Sequence, residues 1–96
     1  MNPAPLKLYY VYLLKSCKND WTYTGFTSDL SRRLQQHYSG KNYSTRKYLP
    51  VELVYYEAFR SIGDAKNREK SLKSYGNSLR LLKKRIARSL CVGGAG

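Results

Sequence analysis

The chain is poor in the residues that staple a fold or hold it around metal. Its 96 residues include two cysteines, one histidine, one methionine and one tryptophan. Cys17 and Cys91 stand far apart with no Cys-x-x-Cys, so neither a zinc finger nor a disulfide framework is supported, and a reducing compartment fits. Acid is scarce too: six Asp and Glu stand against eighteen Lys and Arg, for a formal charge of +12. That excess implies a polyanionic partner, nucleic acid first and an anionic membrane surface second. No stretch of about 18 apolar residues occurs, and residues 1–7 lack the apolar core of a signal peptide. A soluble cytoplasmic protein is therefore expected, nucleoid-associated if the source is bacterial.

Length allows one hydrophobic core and leaves no room for a second. Hydrophobic residues make up 42% and charged residues 25%, a globular balance. Tyrosine is the unusual abundance, ten in all. Leu8, Tyr10, Tyr12 and Leu14 alternate with Tyr9, Val11 and Leu13, the pattern of a strand with both faces partly covered. Turn residues at 16–20 lead into a second aromatic and β-branched run at 21–26, predicting a hairpin. Thr27, Ser28 and Asp29 offer N-caps for a helix that runs to Ser39 and Gly40. A polar loop follows at 41–50, then a third strand from Val51 to Phe59. A second helix is expected from Ser61–Asp64 to Tyr75, stopped by Gly76, and a third capped by Ser78 with Leu79, Leu82, Ile86 and Leu90 on its apolar face. The order β-β-α-β-α-α predicts an α+β fold, a small, mainly antiparallel three-stranded sheet flanked by three helices. Residues 1–7 are expected to be an extension, 8–90 the domain and 91–96 a disordered Gly-rich tail.

Several polar groups stand out of place. Glu69 is the one acid among the many cations of the segment 65–88, and it falls on the apolar stripe between Ala65 and Leu72. A carboxylate there needs a partner, either an internal Lys or Arg or a metal ion. On the first helix, Leu30, Leu34 and Tyr38 make the apolar stripe, with Arg33 and His37 on its border pointing at one spot while Arg32 faces solvent. Snorkelling of Arg33 and a surface His37 are the plain alternatives. Tyr10, Tyr12 and Tyr23 would ordinarily be amphipathic strand residues. Hairpin pairing can nevertheless bring Tyr12 close to Tyr23, and Gly25 leaves room for a backbone or a phosphate to approach.

Tyr10-Val11-Tyr12, followed eleven residues after Tyr12 by Tyr23-Thr24-Gly25, resembles the two-part signature of the GIY-YIG nuclease domain. Arg33 stands ten residues past Tyr23, His37 four further, and Arg68-Glu69-Lys70 follows the third strand, all positions where that family carries functional residues. The likeness spans about 8–88 and is greatest to small standalone bacterial members and to the catalytic subunit of the branched-DNA endonuclease. Tyr10 replaces the family's first Gly and Thr24 its Ile, both backbone or packing positions. Phe26 stands where the excision-repair incision subunit tends to have Lys.

The resemblance implies a metal-dependent endonuclease that hydrolyses phosphodiester bonds in DNA, structure-specific in repair or recombination, with RNA an alternative substrate. Glu69 would hold one divalent cation, Mg²⁺ or Mn²⁺, with water and substrate completing its shell. Tyr12 is the first candidate for general base and Tyr23 the second or its hydrogen-bond partner, with nearby cations lowering the phenol pKa and activity rising above neutral pH. Arg33 would clamp the phosphate, and His37 would relay a proton or orient the tyrosine. Lys41, Arg46, Lys47, Arg68, Lys70, Lys73, Arg80, Lys83, Lys84 and Arg88 would grip backbone phosphates without sequence choice. A partner subunit or homodimer could supply specificity. The first rival is a non-catalytic nucleic-acid-binding module of the same fold; the second, a basic amphipathic helix at 79–90 lying on a membrane, leaves the tyrosines, Arg33 and Glu69 unexplained.

Overall fold

The computed structural model describes residues 6–74 and 76–91. Three strands, β1 (Tyr9–Ser16), β2 (Thr22–Thr27) and β3 (Val51–Phe59), form one antiparallel sheet in the order β2-β1-β3. Helix α1 (Leu30–Tyr38) links β2 to β3, and α2 (Ile62–Lys73), α3 (Asn77–Arg85) and the short α4 (Ala87–Cys91) follow. The expected α+β architecture and element order are present. Among the described residues no helix is long and apolar enough to cross a membrane.

Central placement explains why β1 is aromatic and aliphatic on both sides: Val11, Tyr12, Leu13 and Leu14 are all buried. Alternation gives each face its own core. Val11 packs with Ala65, Leu72 and Leu82 beneath the C-terminal helices, flanked by Tyr9, Phe26, Tyr55, Phe59, Leu79 and Ile86. Tyr12 and Leu14 pack with Val51 on the other face, covered by Leu30 and Leu34 of α1 and by Leu49 and Tyr48 of the loop before β3. Pairing with β2 sets Tyr12 opposite Gly25 and Leu14 opposite Tyr23. Against β3 the register slips between Leu13, opposite Tyr55, and Leu14, opposite Leu53.

Local chemistry fixes the helix ends. The Asp29 carboxylate accepts the Arg32 N–H at 3.1 Å to start α1, and Gly40, with φ +78°, turns the chain away after it. Ser61 caps α2 by accepting the Asp64 N–H at 3.2 Å.

Four details differ from the sequence expectation. Helix α2 ends at Lys73 with extended backbone at Ser74, and Tyr75 lies outside the described residues. Ser78 does not cap α3: Gly76 occupies the cap position, and the Ser78 hydroxyl meets that of Ser71 at 2.7 Å. The third helix breaks at Ile86, so the cations from Arg80 to Arg88 do not lie on one continuous helix. Because Leu79, Leu82 and Ile86 pack against the sheet, the apolar side that a membrane-lying helix would need is used by the core. Cys91, expected to open a disordered tail, ends α4, while 1–5 of the expected extension and 92–96 of the tail lie outside the described residues.

Candidate active site

The site grows from the Tyr12–Gly25 pair. A Cβ at position 25 would overlap the Tyr12 ring at Cζ and its hydroxyl, so only glycine lets that ring lie across β2. In that position the Tyr12 hydroxyl reaches Nε2 of His37 at 2.7 Å. The opposite ring nitrogen, Nδ1, lies 2.8 Å from Oγ1 of Thr45. All three side chains are buried, and no buried side-chain polar atom among the described residues lacks a partner.

His37 is thus neither a surface residue nor on the border of the α1 stripe. It is wholly buried at helical spacing from Leu30 and Leu34, while Tyr38, expected to be apolar-facing, is largely exposed. Thr45 escaped the sequence reading altogether. It sits in a polar loop with no local pattern to mark it, and at full burial its hydroxyl supplies the oxygen partner of His37.

Burial also sets the electrostatics. It is the main cause that raises the Tyr12 phenol well above its ordinary 10.0, reinforced by Tyr23 and Glu69 and opposed by the Arg33 charge. The expectation that neighbouring cations lower this pKa is therefore reversed, because desolvation of a phenolate outweighs one guanidinium. Burial, then Arg33, lowers the His37 pKa below 6.5 and keeps the imidazole neutral at physiological pH. Half-buried Arg33 on α1 contributes to both shifts through its charge.

Tyr23 completes an aromatic corner: its ring centroid is 6.3 Å from that of Tyr12 and 5.3 Å from that of His37. It is less buried than Tyr12 and makes no side-chain hydrogen bond among the described residues; the expected Tyr12–Tyr23 hydrogen bond does not form. The Lys73 ammonium lies 5.7 Å from the Tyr23 ring centre and 3.0 Å from Oε2 of Glu69. Glu69 is therefore held at the same corner by an i,i+4 ion pair, with a fifth of its side chain still accessible. No cluster of three or more His, Cys, Asp or Glu suited to a metal exists among the described residues. One carboxylate fits a cation that keeps most of its water, and it does not fit a two-metal cage.

Three of the other five acids have other work. Asp29 caps α1, Asp64 lies in the first turn of α2, and Glu57 accepts the Tyr55 hydroxyl at 2.7 Å and two nitrogens of Arg68 at 2.9–3.1 Å. Glu57 stands opposite Val11, so that pair lies under the C-terminal helices on the face away from Tyr12. Arg68, expected among the phosphate-gripping cations, is instead committed to this bidentate bridge. Lys41, Arg46, Lys47, Lys70, Lys73, Arg80, Lys84 and Arg88 are exposed, and Lys83 is half-buried. Tyr10 lies on the Tyr12 face, opposite Thr27 and Ala58, with its ring 6.0 Å from Tyr56.

The three-stranded sheet thus gathers two tyrosines and a histidine at one corner, with a lysine-paired carboxylate beside them. Residues 8–88 match the model of the GIY-YIG catalytic domain, and the chain belongs to that family. Among curated proteins it is 40% identical over 68 residues to a UPF0213 protein of Haloquadratum walsbyi, covering 70% of this chain and 75% of that one. It is 38% identical over 74 residues to a UPF0213 protein of Staphylococcus haemolyticus, covering 76% and 89%. The solution NMR structure of a UPF0213 protein from Bacillus halodurans is 35% identical, covers 92% of this chain and 89% of that one, and superposes with a TM-score of 0.49.

Proposed function

We propose that this chain is a divalent-metal-dependent endonuclease that hydrolyses phosphodiester bonds in DNA. The observation that carries the reading is the hydrogen-bonded run from Tyr12 through His37 to Thr45, beside Arg33 and Glu69. The Tyr12 hydroxyl is tied to a neutral histidine whose far nitrogen is itself held, a continuous path for a proton.

A neutral imidazole offers one N–H and one lone pair. With Nδ1–H donating to Oγ1 of Thr45, Nε2 is free to accept the Tyr12 proton. Tyr12 can then take a proton from the attacking water while passing its own to His37, so no free phenolate need form. The water oxygen bonds to phosphorus as the bond to the leaving oxygen breaks, and Arg33 offsets the charge that develops on the phosphoryl oxygens. Glu69 would hold the cation, Mg²⁺ or Mn²⁺, once released from Lys73; when bound, that cation stabilises the phosphoryl and leaving oxygens. Lys73, beside Glu69, would hold a backbone phosphate at the site, and Lys41, Lys70, Arg80, Lys83, Lys84 and Arg88 would add affinity for the strand elsewhere on the surface.

A second assignment makes Tyr23 the proton acceptor, favoured by its greater exposure and open hydroxyl. It predicts that Tyr23→Phe is more damaging than Tyr12→Phe.

The test is cleavage of labelled single-stranded, duplex, flap and four-way DNA with Mg²⁺, Mn²⁺ or EDTA, for the wild type and Glu69→Ala. The proposal expects metal-dependent cutting that Glu69→Ala abolishes while binding persists. Binding by both proteins with cutting by neither would leave a nucleic-acid-binding module.

A further inference from the structure

The loop before β3 builds a second aromatic feature that the cleavage chemistry does not use. Trp21 and Tyr48 stack face to face, with ring centroids 3.7 Å apart and planes within 8°. Beside them opens a hollow of about 520 Å³ lined by Trp21, Tyr43, Ser44, Arg46, Lys47 and Tyr48. That volume lies within the range of small-ligand sites, roughly 300–1,000 Å³. Tyr43 is 80% exposed, which core packing does not explain, and the Arg46 guanidinium lies 4.8 Å from its ring centre. Lys47 stands 5.4 Å from the Tyr48 ring centre.

This platform is hydrogen-bonded to β1 and connected to the active site. The buried Ser16 hydroxyl donates to the Tyr48 carbonyl at 2.8 Å, and the Ser16 N–H to the Trp21 carbonyl at 2.9 Å. Thr45, in the same loop, is the hydrogen-bond partner of His37. Rings lead inward from the hollow: Trp21 lies 6.2 Å from Tyr23, which contacts both Tyr12 and His37.

Arg46 lies over one face of the exposed Tyr43 ring and Lys47 over the face of Tyr48 away from Trp21. The second face of Tyr43 and the outer face of Trp21, with these two cations beside them, therefore suit a ligand that has both a π-face and a phosphate. We infer that this hollow binds one unpaired nucleobase of the substrate strand, stacked on its aromatic lining, with the adjoining phosphate on Arg46 and Lys47. A base within a duplex has both faces covered by its neighbours and cannot enter without being extruded. The inference deepens the nuclease reading and rests on it for the substrate: cleavage would be directed to DNA with an unpaired nucleotide beside the scissile bond.

Trp21, the chain's one tryptophan, reports directly on occupancy. Its fluorescence, excited where tyrosine does not absorb, is followed in EDTA while oligothymidylate, a blunt duplex or the same duplex with a single-stranded flap is added. We expect saturable quenching by the single strand and the flap, and little by the blunt duplex. Tyr43→Ala, at an exposed position that the fold does not need, should weaken single-strand binding by about 5- to 150-fold, the span of one base–aromatic stack. Duplex binding should not change, and Tyr43→Phe should behave as wild type. Equal quenching by blunt duplex, or a Tyr43→Ala variant that binds single strands normally, would overturn the inference. No cleavage enters this readout, so a protein that never cuts but quenches selectively keeps the pocket and loses the nuclease reading. One that cuts yet quenches without selectivity does the reverse.

Discussion

Gly25 and Tyr12 are register partners on adjacent strands, and the ring of the second fills the space where a side chain on the first would be. The glycine of the family signature is therefore a steric condition for the tyrosine's aim. Gly25→Ala must push the Tyr12 ring off His37. Overpacking a buried site costs about 1–3 kcal/mol. Denaturant unfolding should show a loss of that size, and cleavage should fail even where the variant remains folded.

Thr45 is a positioning residue, acting on the substrate only through His37. Thr45→Val keeps the shape and removes the oxygen, leaving Nδ1 unpartnered at a cost of about 1–3 kcal/mol. It should lower kcat with little change in KM, and Thr45→Ser should restore the wild-type rate. A valine variant as fast as wild type would show that the imidazole needs no anchor.

Acid should weaken both fold and activity through His37. Its native pKa is depressed below 6.5 by burial and Arg33, so above 6.5 the imidazole is neutral in both states and its contribution to stability is complete. As pH falls below 6.5 the unfolded chain takes up a proton that the native state resists, and stability drains until native His37 titrates. Urea unfolding from about pH 8 to pH 5 should show this loss, and His37→Gln should flatten it. The cleavage rate should rise through the depressed histidine pKa and then stay level above neutrality. The buried Tyr12 does not ionise there. A rate climbing steadily above neutral pH would favour a free phenolate.

Lys73 competes with any cation for Glu69. A helical i,i+4 ion pair with one half-exposed partner is worth only about 0.3–0.5 kcal/mol. Lys73→Ala should therefore lower the half-saturating Mg²⁺ concentration by about twofold, while the KM for DNA rises because a phosphate contact is lost. An unchanged or increased Mg²⁺ requirement would argue that Lys73 helps to build the cation site.

Much of this fold was legible because its signals are local. The run from Val51 to Phe59 marks β3, as observed, and Asp29 and Gly40 bracket α1 by cap and turn chemistry. The resemblance named Tyr12, Tyr23 and His37 among its site residues, and their rings meet at one corner. What escaped is tertiary. Nothing beside Thr45 announces its burial, and the break at Ile86 has no Gly or Pro to mark it. Helical periodicity alone could not choose between His37 and Tyr38 for the inward position. The direction of the Tyr12 pKa depends on how deeply three elements bury one ring, which no count of nearby cations contains.

The most direct test of the account is single-turnover cleavage by Tyr12→Phe with DNA affinity measured on the same preparation. The substitution deletes one oxygen and keeps the ring that packs over Gly25. Loss of a general base predicts a rate lower by about 10²- to 10⁴-fold at unchanged affinity. A Tyr12→Phe protein that cuts at the wild-type rate would contradict the proton route through Tyr12 and His37.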